Sequence, residues 1–526
     1  CSIGMKCLLK QFLISVFIKM TFCVAIYGLM MNEFLFNRQD GIWNGSYYEA
    51  GNWELPLGRW AIRYLDTTHF GVSIHPWSTL LTLAFFVLGT CFLADLFQIK
   101  IGSIFDYLIS GLFLSNVVVC ASISYLYTSN IYGCSFLLAV LSIWFIAKGV
   151  ENQYNNQKNV KIPNITPFGG GICIAVVLGL YQAYLGCIAL VALLFFVFLL
   201  YRDMPWKYIR KYLLGGCATG IGGFIVFEII LKIELLRYNV EMSSYNGADT
   251  LSVSNIASNL SISIRRAYEI FFNYFCGLDE TKWNLFAGKK LFILVVMLCL
   301  LVLIIAALTQ KKILNTILSL IALVFLPLAA NIVVVLVPGS AYQAWQTAPC
   351  ALIIPIIVCI LYKQLCEFDF YKKKILKLGI ALISIFIMWG SVYQTQIDQE
   401  ALRQGTVAAK SMVQNIVAAL YKNDMYSTEK QYAVIGAPCN NPSIYLNKIY
   451  YEANSYAMIA GPYWEGTLDL RTWRGLFTNL CGVNLPICSD SDYEYLSKDS
   501  RVNDMTNFPE KGSIKEINGI VLIHVS

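Results

Sequence analysis

Long apolar runs, each bounded by a short polar or basic stretch, fill the first three quarters of the chain. A membrane-crossing helix needs about 17–25 predominantly apolar residues. About eleven runs meet or approach that length, near Phe12–Met31, Ser78–Gln98, Ile104–Tyr125, Tyr132–Ala147, Phe168–Tyr184, Leu185–Tyr201, Tyr212–Ile233, Lys290–Leu308, Ile313–Val337, Ala348–Tyr362 and Ile375–Tyr393. The pattern then changes. Leu402, Ala409, Val413, Ile416 and Leu420 keep a helical period, and short strand-like runs follow at Tyr432–Ile435 and Ile520–Val525. The pattern predicts an all-α polytopic membrane bundle over residues 1–393 and a small α/β domain over residues 394–526.

Composition narrows the function class. Of 526 residues, 57% are hydrophobic and 13% charged, against about 25% charged in soluble domains. A soluble enzyme, a disordered protein and a nucleic-acid-binding module are excluded. The net charge of +7 comes from Lys and Arg set between apolar runs. That bias orients a multi-pass protein. With the N-terminus cytoplasmic, the inner loops collect Lys100, Lys148, Arg202, Lys311 and Lys372 with their basic neighbours. The short turns around Ser129, Leu185 and Ala341 hold none. This topology leaves two loops, 32–77 and 234–289, and the C-terminal domain outside. The first run reads as a retained helix in the cell membrane rather than a cleaved signal. Most of the 17 cysteines lie in apolar runs and read as small hydrophobes, and three scattered histidines offer no metal centre. Cys481 and Cys488, in the exported tail, either pair or remain free.

The first loop is rich in candidate chemistry. It carries Glu33, Asp40, Glu49, Glu54 and Asp66, the arginines Arg38, Arg59 and Arg63, and several Trp and Tyr residues. Aromatic faces stack on sugar rings and carboxylates accept hydroxyl protons. Arginine forks grip phosphate. The competing reading is an interfacial aromatic belt with solvated charges.

The run Trp53-Glu54-Leu55-Pro56-Leu57-Gly58-Arg59-Trp60, after Asp40 in a loop following a first span, resembles the opening motif of the glucosyltransferase-II-like membrane proteins. These include the serotype-converting O-antigen glucosyltransferases and share the GT-C architecture. Leu180-Tyr181-Gln182 is similar to a second family element. Where family members often show adjacent acids, this chain has Gln39-Asp40, which argues against a paired-carboxylate or metal-bound mechanism. The resemblance implies inverting transfer of a sugar, glucose in the named family, from a polyprenyl-phosphate donor to a cell-surface glycan; the residues indicate no cofactor, and a divalent metal stays open. Asp40 is the first candidate base and Glu54 the second. Arg59 is the candidate for the phosphate, assisted by Arg38 or Arg63, with Trp60 beside it; the alternative for Arg59 is a salt bridge to Asp66 or Glu54.

Polar residues inside apolar spans are costly and commonly face a cavity or one another. Tyr181, Gln182, Glu228 and Asn331 all fall toward the expected outer ends of their spans, so the first three join the candidate substrate-binding set. Glu228 otherwise pairs with Lys232 one helical turn on. Lys19, inside the first span, needs a carboxylate partner or must snorkel. Arg265, Arg266 and Glu269 lie on a helical segment of the second loop that either lines the lipid access or covers the bundle. Trp464 and Trp473 are core aromatics or glycan platforms. Outside transferase chemistry, the alternative is a glycolipid or polysaccharide transporter, against which stands the lack of repeated halves; a polysaccharide ligase or polymerase is the other enzymatic reading. The topology has a direct test: a reporter fused after Ser526 is expected to be active outside the cell and one at Asn156 inside, and swapped activities would invert every placement.

Overall fold

A computed structural model describes residues 2–33, 35, 42–45, 47–51, 53–155, 166–244, 253–276, parts of 296–304, 313–337, 344–367, 373–437, 441 and 468–526. The first half contains α1 (Ser2–Asn32), α2 (Trp60–Thr67), α3 (Trp77–Leu96), α4 (Ile104–Leu114), α5 (Val117–Ile123), α6 (Ser129–Asn155), α7 (Thr166–Leu180), α8 (Leu185–Tyr201) and α9 (Trp206–Tyr238). After α10 (Val253–Cys276) come α11 (Ile313–Val324), α12 (Leu326–Ala330), α13 (Ile332–Leu336), α14 (Ala348–Glu367) and α15 (Lys373–Lys422). Among the described residues, seven helices are long and apolar enough to cross a membrane. The protein is therefore a multi-pass membrane protein.

The described residues do not confirm the expected count of about eleven spans. α4 and α5 meet at a 57° bend, and counting them as one span brings the number to eight. At this bend the Asn116 side chain caps α5, accepting from Val118 N–H at 3.0 Å. α7 stops at Leu180, and Gln182–Tyr184 make a separate 3₁₀ turn before α8. The run Ile313–Val337 splits into α11, α12 and α13. Pro327, which has no N–H to give, stands in the first turn of α12. The freed polar groups find side-chain partners: Asn331 Nδ2 donates to the Pro327 and Ala267 carbonyls at 3.1 and 2.9 Å. That bond ties α13 to α10, whose Ala267 and Phe271 are buried against the bundle while Arg265 and Glu269 pair on its exposed side. Most of the expected span Lys290–Leu308 lies outside the described residues.

Packing follows from composition. α3, α6, α7 and α9 are neighbours in that order. Small residues bring their backbones close: a Cβ on Gly223 of α9 would sit 2.7 Å from the Gly171 carbonyl of α7. Lys19 finds its partner in Asp106, 2.7 Å away and fully buried. The same carboxylate accepts from Ser15 Oγ and Gly102 N–H at 2.9 and 2.8 Å, so its burial is compensated. α15 carries a buried polar band. Gln399 and Gln396 donate to the Ile26 carbonyl of α1 at 2.9 and 2.7 Å, and Thr395 donates to Ser115 O at the α4–α5 bend at 3.0 Å.

α15 runs unbroken for 50 residues, through the expected boundary at 393/394. Its Ala409, Val413, Ile416 and Leu420 are buried in a second core. β1 (Gln431–Ile435) pairs in parallel with β3 (Ile520–His524), and β2 (Ile514–Ile517) pairs antiparallel with β3. Between β1 and β2 lie α16 (Leu470–Gly475), continued by a π turn over Leu476–Leu480, then α17 (Asp490–Ser497) and α18 (Ser500–Asn503). Trp473 is a core residue; Trp464 lies outside the described residues. Cys481 and Cys488 are free thiols, and of the span cysteines Cys91, Cys120 and Cys173 are buried while Cys217 is exposed.

Lys19→Met leaves the Asp106 charge buried without its cation, which costs about 3–5 kcal/mol. Thermal unfolding in detergent is expected to show that loss. Lys19→Met/Asp106→Leu is expected to recover most of it; equal destabilisation of the double variant would deny the pair its role.

Candidate functional site

The first loop reaches the bundle through one compact turn. Leu55–Leu57 form a 3₁₀ turn with Pro56 at its start, and Gly58 closes it at φ +78. That left-handed value favours glycine. Space does too, since a Cβ there would lie 3.0 Å from Gln182 Nε2 and against Phe227 and Leu231 of α9. The Arg59 N–H then donates to the Glu54 carbonyl at 3.1 Å, and α2 begins at Trp60.

This turn collects four of the expected residues. Gln182 Nε2 donates to the Leu57 carbonyl at 3.0 Å. Trp60 is buried on α7 at Gly179, where any Cβ would sit 2.5 Å from the indole ring. The Arg59 guanidinium lies over the Tyr181 ring, 4.8 Å from its centroid. Arg59 forms no salt bridge to Asp66 or Glu54, and its Nε is buried with no hydrogen-bond partner among the described residues. Tyr181 is held in turn by Gln346 Nε2, which donates to its hydroxyl at 3.2 Å, and by the edge of Tyr132 at 5.1 Å. The result is a half-buried cation on an aromatic shelf, at the junction of the first loop with the ends of α7 and α8.

The same loop and α2 carry two buried carboxylates in separate cradles. Glu54 accepts from the Tyr48 hydroxyl at 2.7 Å and from Gly51 N–H at 2.8 Å. Asp66 accepts from Ala50 N–H at 2.8 Å and from the Tyr127 hydroxyl at 3.2 Å. Tyr48 and Tyr127 meet edge to face at 4.4 Å, which links the cradles. Burial pushes the Asp66 carboxyl from 3.8 up to about 6, against the downward pull of the Ala50 and Tyr127 bonds and with a smaller upward push from Glu54 and Glu49. Arg63 points away from Arg59: its Nε donates to the Ala50 carbonyl at 3.4 Å and its guanidinium covers Tyr238 at 3.8 Å.

The structure does not bring Glu228 to this turn. Glu228 is half-buried on α9, forms no pair with Lys232, and makes no hydrogen bond to the loop among the described residues. Phe227 and Leu231, on the neighbouring face, meet Gly58 instead. The acid of α9 that does engage the loop is Glu234, which accepts from the Tyr64 hydroxyl at 2.6 Å. Asp40 and Arg38 lie outside the described residues. Gln346, Glu234, Tyr48 and Tyr127 were missed by sequence reasoning: each is an ordinary loop or span-end residue until the fold places it. Among the described residues no three His, Cys, Asp or Glu side chains cluster as metal ligands.

A family model described as glucosyl transferase GtrII matches residues 44–361, more than half of the chain. The chain belongs to the glucosyl transferase GtrII family. It is accordingly a glycosyltransferase of the glucosyl-transferring kind. The matched stretch of this GtrII-family enzyme starts in the first loop and contains Glu54, Arg59, Trp60, Arg63, Tyr181, Gln182 and Glu228, but not Asp40. No curated protein and no solved structure matches the chain.

The raised Asp66 carboxyl has a sign that can be measured. Between pH 3.8 and about 6 the folded protein holds a proton that the unfolded chain releases. Stability from this group is therefore present at low pH and lost as pH rises through about 6. Asp66→Asn keeps the acceptor oxygen and is expected to flatten that part of the melting-temperature profile. An unchanged slope would assign the pH dependence elsewhere.

Proposed function

We propose that this protein is an inverting glucosyltransferase that takes glucose from a polyprenyl-phosphate donor and places it on a hydroxyl of a cell-surface glycan, at the outer face of the cell membrane. The acceptor oxygen attacks the anomeric carbon as the bond from that carbon to the phosphate oxygen breaks. The bonding pair leaves with the polyprenyl phosphate, and the acceptor proton passes to a carboxylate. Atoms and charges balance without a cofactor.

The observation that carries this reading is the state of Arg59. An arginine held by one aromatic face, with its Nε buried and unpartnered and no carboxylate in salt-bridge range among the described residues, is prepared for an anion. A phosphate monoester or diester offers two oxygens that the planar guanidinium fork can grip bidentately. As the phosphate departs it gains charge, so the same cation binds the transition state more tightly than the donor. Tyr181, Gln182 and Trp60 fix where the fork sits. Glu54 already accepts two bonds that hold the loop, which leaves Asp40 the favoured base and Glu54 the second.

The test uses membranes carrying the full chain and a polyprenyl-phosphate glucose donor. General-base help is worth about 10²–10⁴ in rate, so Asp40→Asn is expected to lose that much turnover while donor binding stays near normal. Arg59→Lys keeps the charge and loses the fork, so donor binding and turnover are expected to fall together. If Asp40→Asn transferred glucose normally while Glu54→Gln did not, the base would be Glu54. Normal transfer by both, or consumption of a nucleotide sugar with the lipid donor ignored, would sink the proposal.

A further inference from the structure

The segment Ile42–Gly45 of the first loop is gripped by the C-terminal domain. Asn479 Nδ2 donates to the Ile42 carbonyl at 2.7 Å and to the Trp43 carbonyl at 3.3 Å. Trp43 Nε1 donates to Thr472 Oγ1 at 2.9 Å. The Arg471 guanidinium covers the Trp43 ring at 4.3 Å and reaches Asn44 Oδ1 at 3.1 Å. Ile42 itself belongs to the core of that domain. Gly475 is the reason the two segments come so close, since any Cβ there would overlap the Ile42 carbonyl. The gripping residues are fixed in turn: Asp469 caps α16 by accepting from Thr472 N–H at 2.6 Å.

From this grip the bonds continue toward Arg59. Tyr48 N–H donates to Gly71 O at 2.9 Å, Ala50 N–H to Asp66, and Gly51 N–H to the Glu54 carboxylate. The Glu54 carbonyl then accepts from Arg59 N–H. A loop pinned at both ends has one geometry; released at one end, it has many. Catalytic groups tolerate little displacement, about 1 Å costing roughly 100-fold.

We infer that α16 and the π turn after it are a positioning element of the transferase, with Arg471, Thr472 and Asn479 acting through the first loop on Arg59. The C-terminal domain is then part of the catalytic unit. This rests on the proposed function for its activity readout and on geometry alone for its structural one.

The experiment uses the full chain in lipid nanodiscs. Thr472→Val and Asn479→Ala are expected to raise hydrogen exchange at residues 47–51 and at Arg59 in the unliganded protein. Both are expected to lower kcat about 10–100-fold, as misplacement does, with the donor KM within about threefold of wild type. Thr472→Ser, which restores the hydroxyl, is expected to return both readings to normal. Unchanged exchange in both variants would overturn the inference, and so would raised exchange with full kcat. A rise confined to the acceptor KM would also overturn it, making the region an acceptor site. A wild-type protein inert toward the lipid donor would refute the proposed function, and the exchange measurement would still decide whether the grip holds the loop.

Discussion

Everything at the candidate site depends on how closely the first loop can approach the helix ends. Two glycines set that distance. At Gly58 the left-handed turn removes the side chain that would strike Gln182, and at Gly179 the bare face of α7 receives the Trp60 indole. Without both, the run from Glu54 to Trp60 would stand off the bundle by about the width of a methyl group. Arg59 would then lose Tyr181, and the Leu57 carbonyl would lose Gln182. The Leu57 carbonyl is satisfied because the turn sits this close, not in spite of it.

The same logic of local satisfaction governs the bundle. Two of the interruptions among the described residues coincide with side chains that take up the freed polar groups: Asn116 at the α4–α5 bend, with Thr395 on the Ser115 carbonyl, and Asn331 after α12. Lys19 and Asp106 extend it to full charges. Such sites bind specific helices to specific neighbours in a setting where apolar surface cannot discriminate.

Much of this was legible along the chain and some was not. Hydropathy located the runs, and the period Leu402–Leu420 and both strand-like segments fall in α15, β1 and β3. It could not locate breaks, because Ser115-Asn116 and Asn331 are too few to lower the average of a long apolar run. Lys19 announced that it needed a partner, but nothing in the sequence pointed to Asp106, 87 residues away. The motif from Trp53 to Trp60 marked the site because its glycine, proline and aromatics are local requirements of one turn. The residues that complete the site, Gln346 and Tyr127, come from distant turns and carry no local signature. Glu228 drew notice as a charge in a span, while Glu234, six residues nearer the helix end, does the bonding. Hydropathy cannot tell which face of α9 meets the loop.

One consequence of α15 concerns distance. At 1.5 Å per residue its 50 residues make a rod about 75 Å long, against a hydrocarbon thickness of about 30 Å. It is continuous from apolar residues at one end to the sheet's core at the other, and Gly390 and Gly405 lie inside it without interrupting the helix. The standoff of the C-terminal sheet is thus set by counting residues, as on a caliper. Inserting a whole number of turns would lengthen the rod without rotating it; inserting half a turn would swing the sheet to the far side of the helix while changing its height very little.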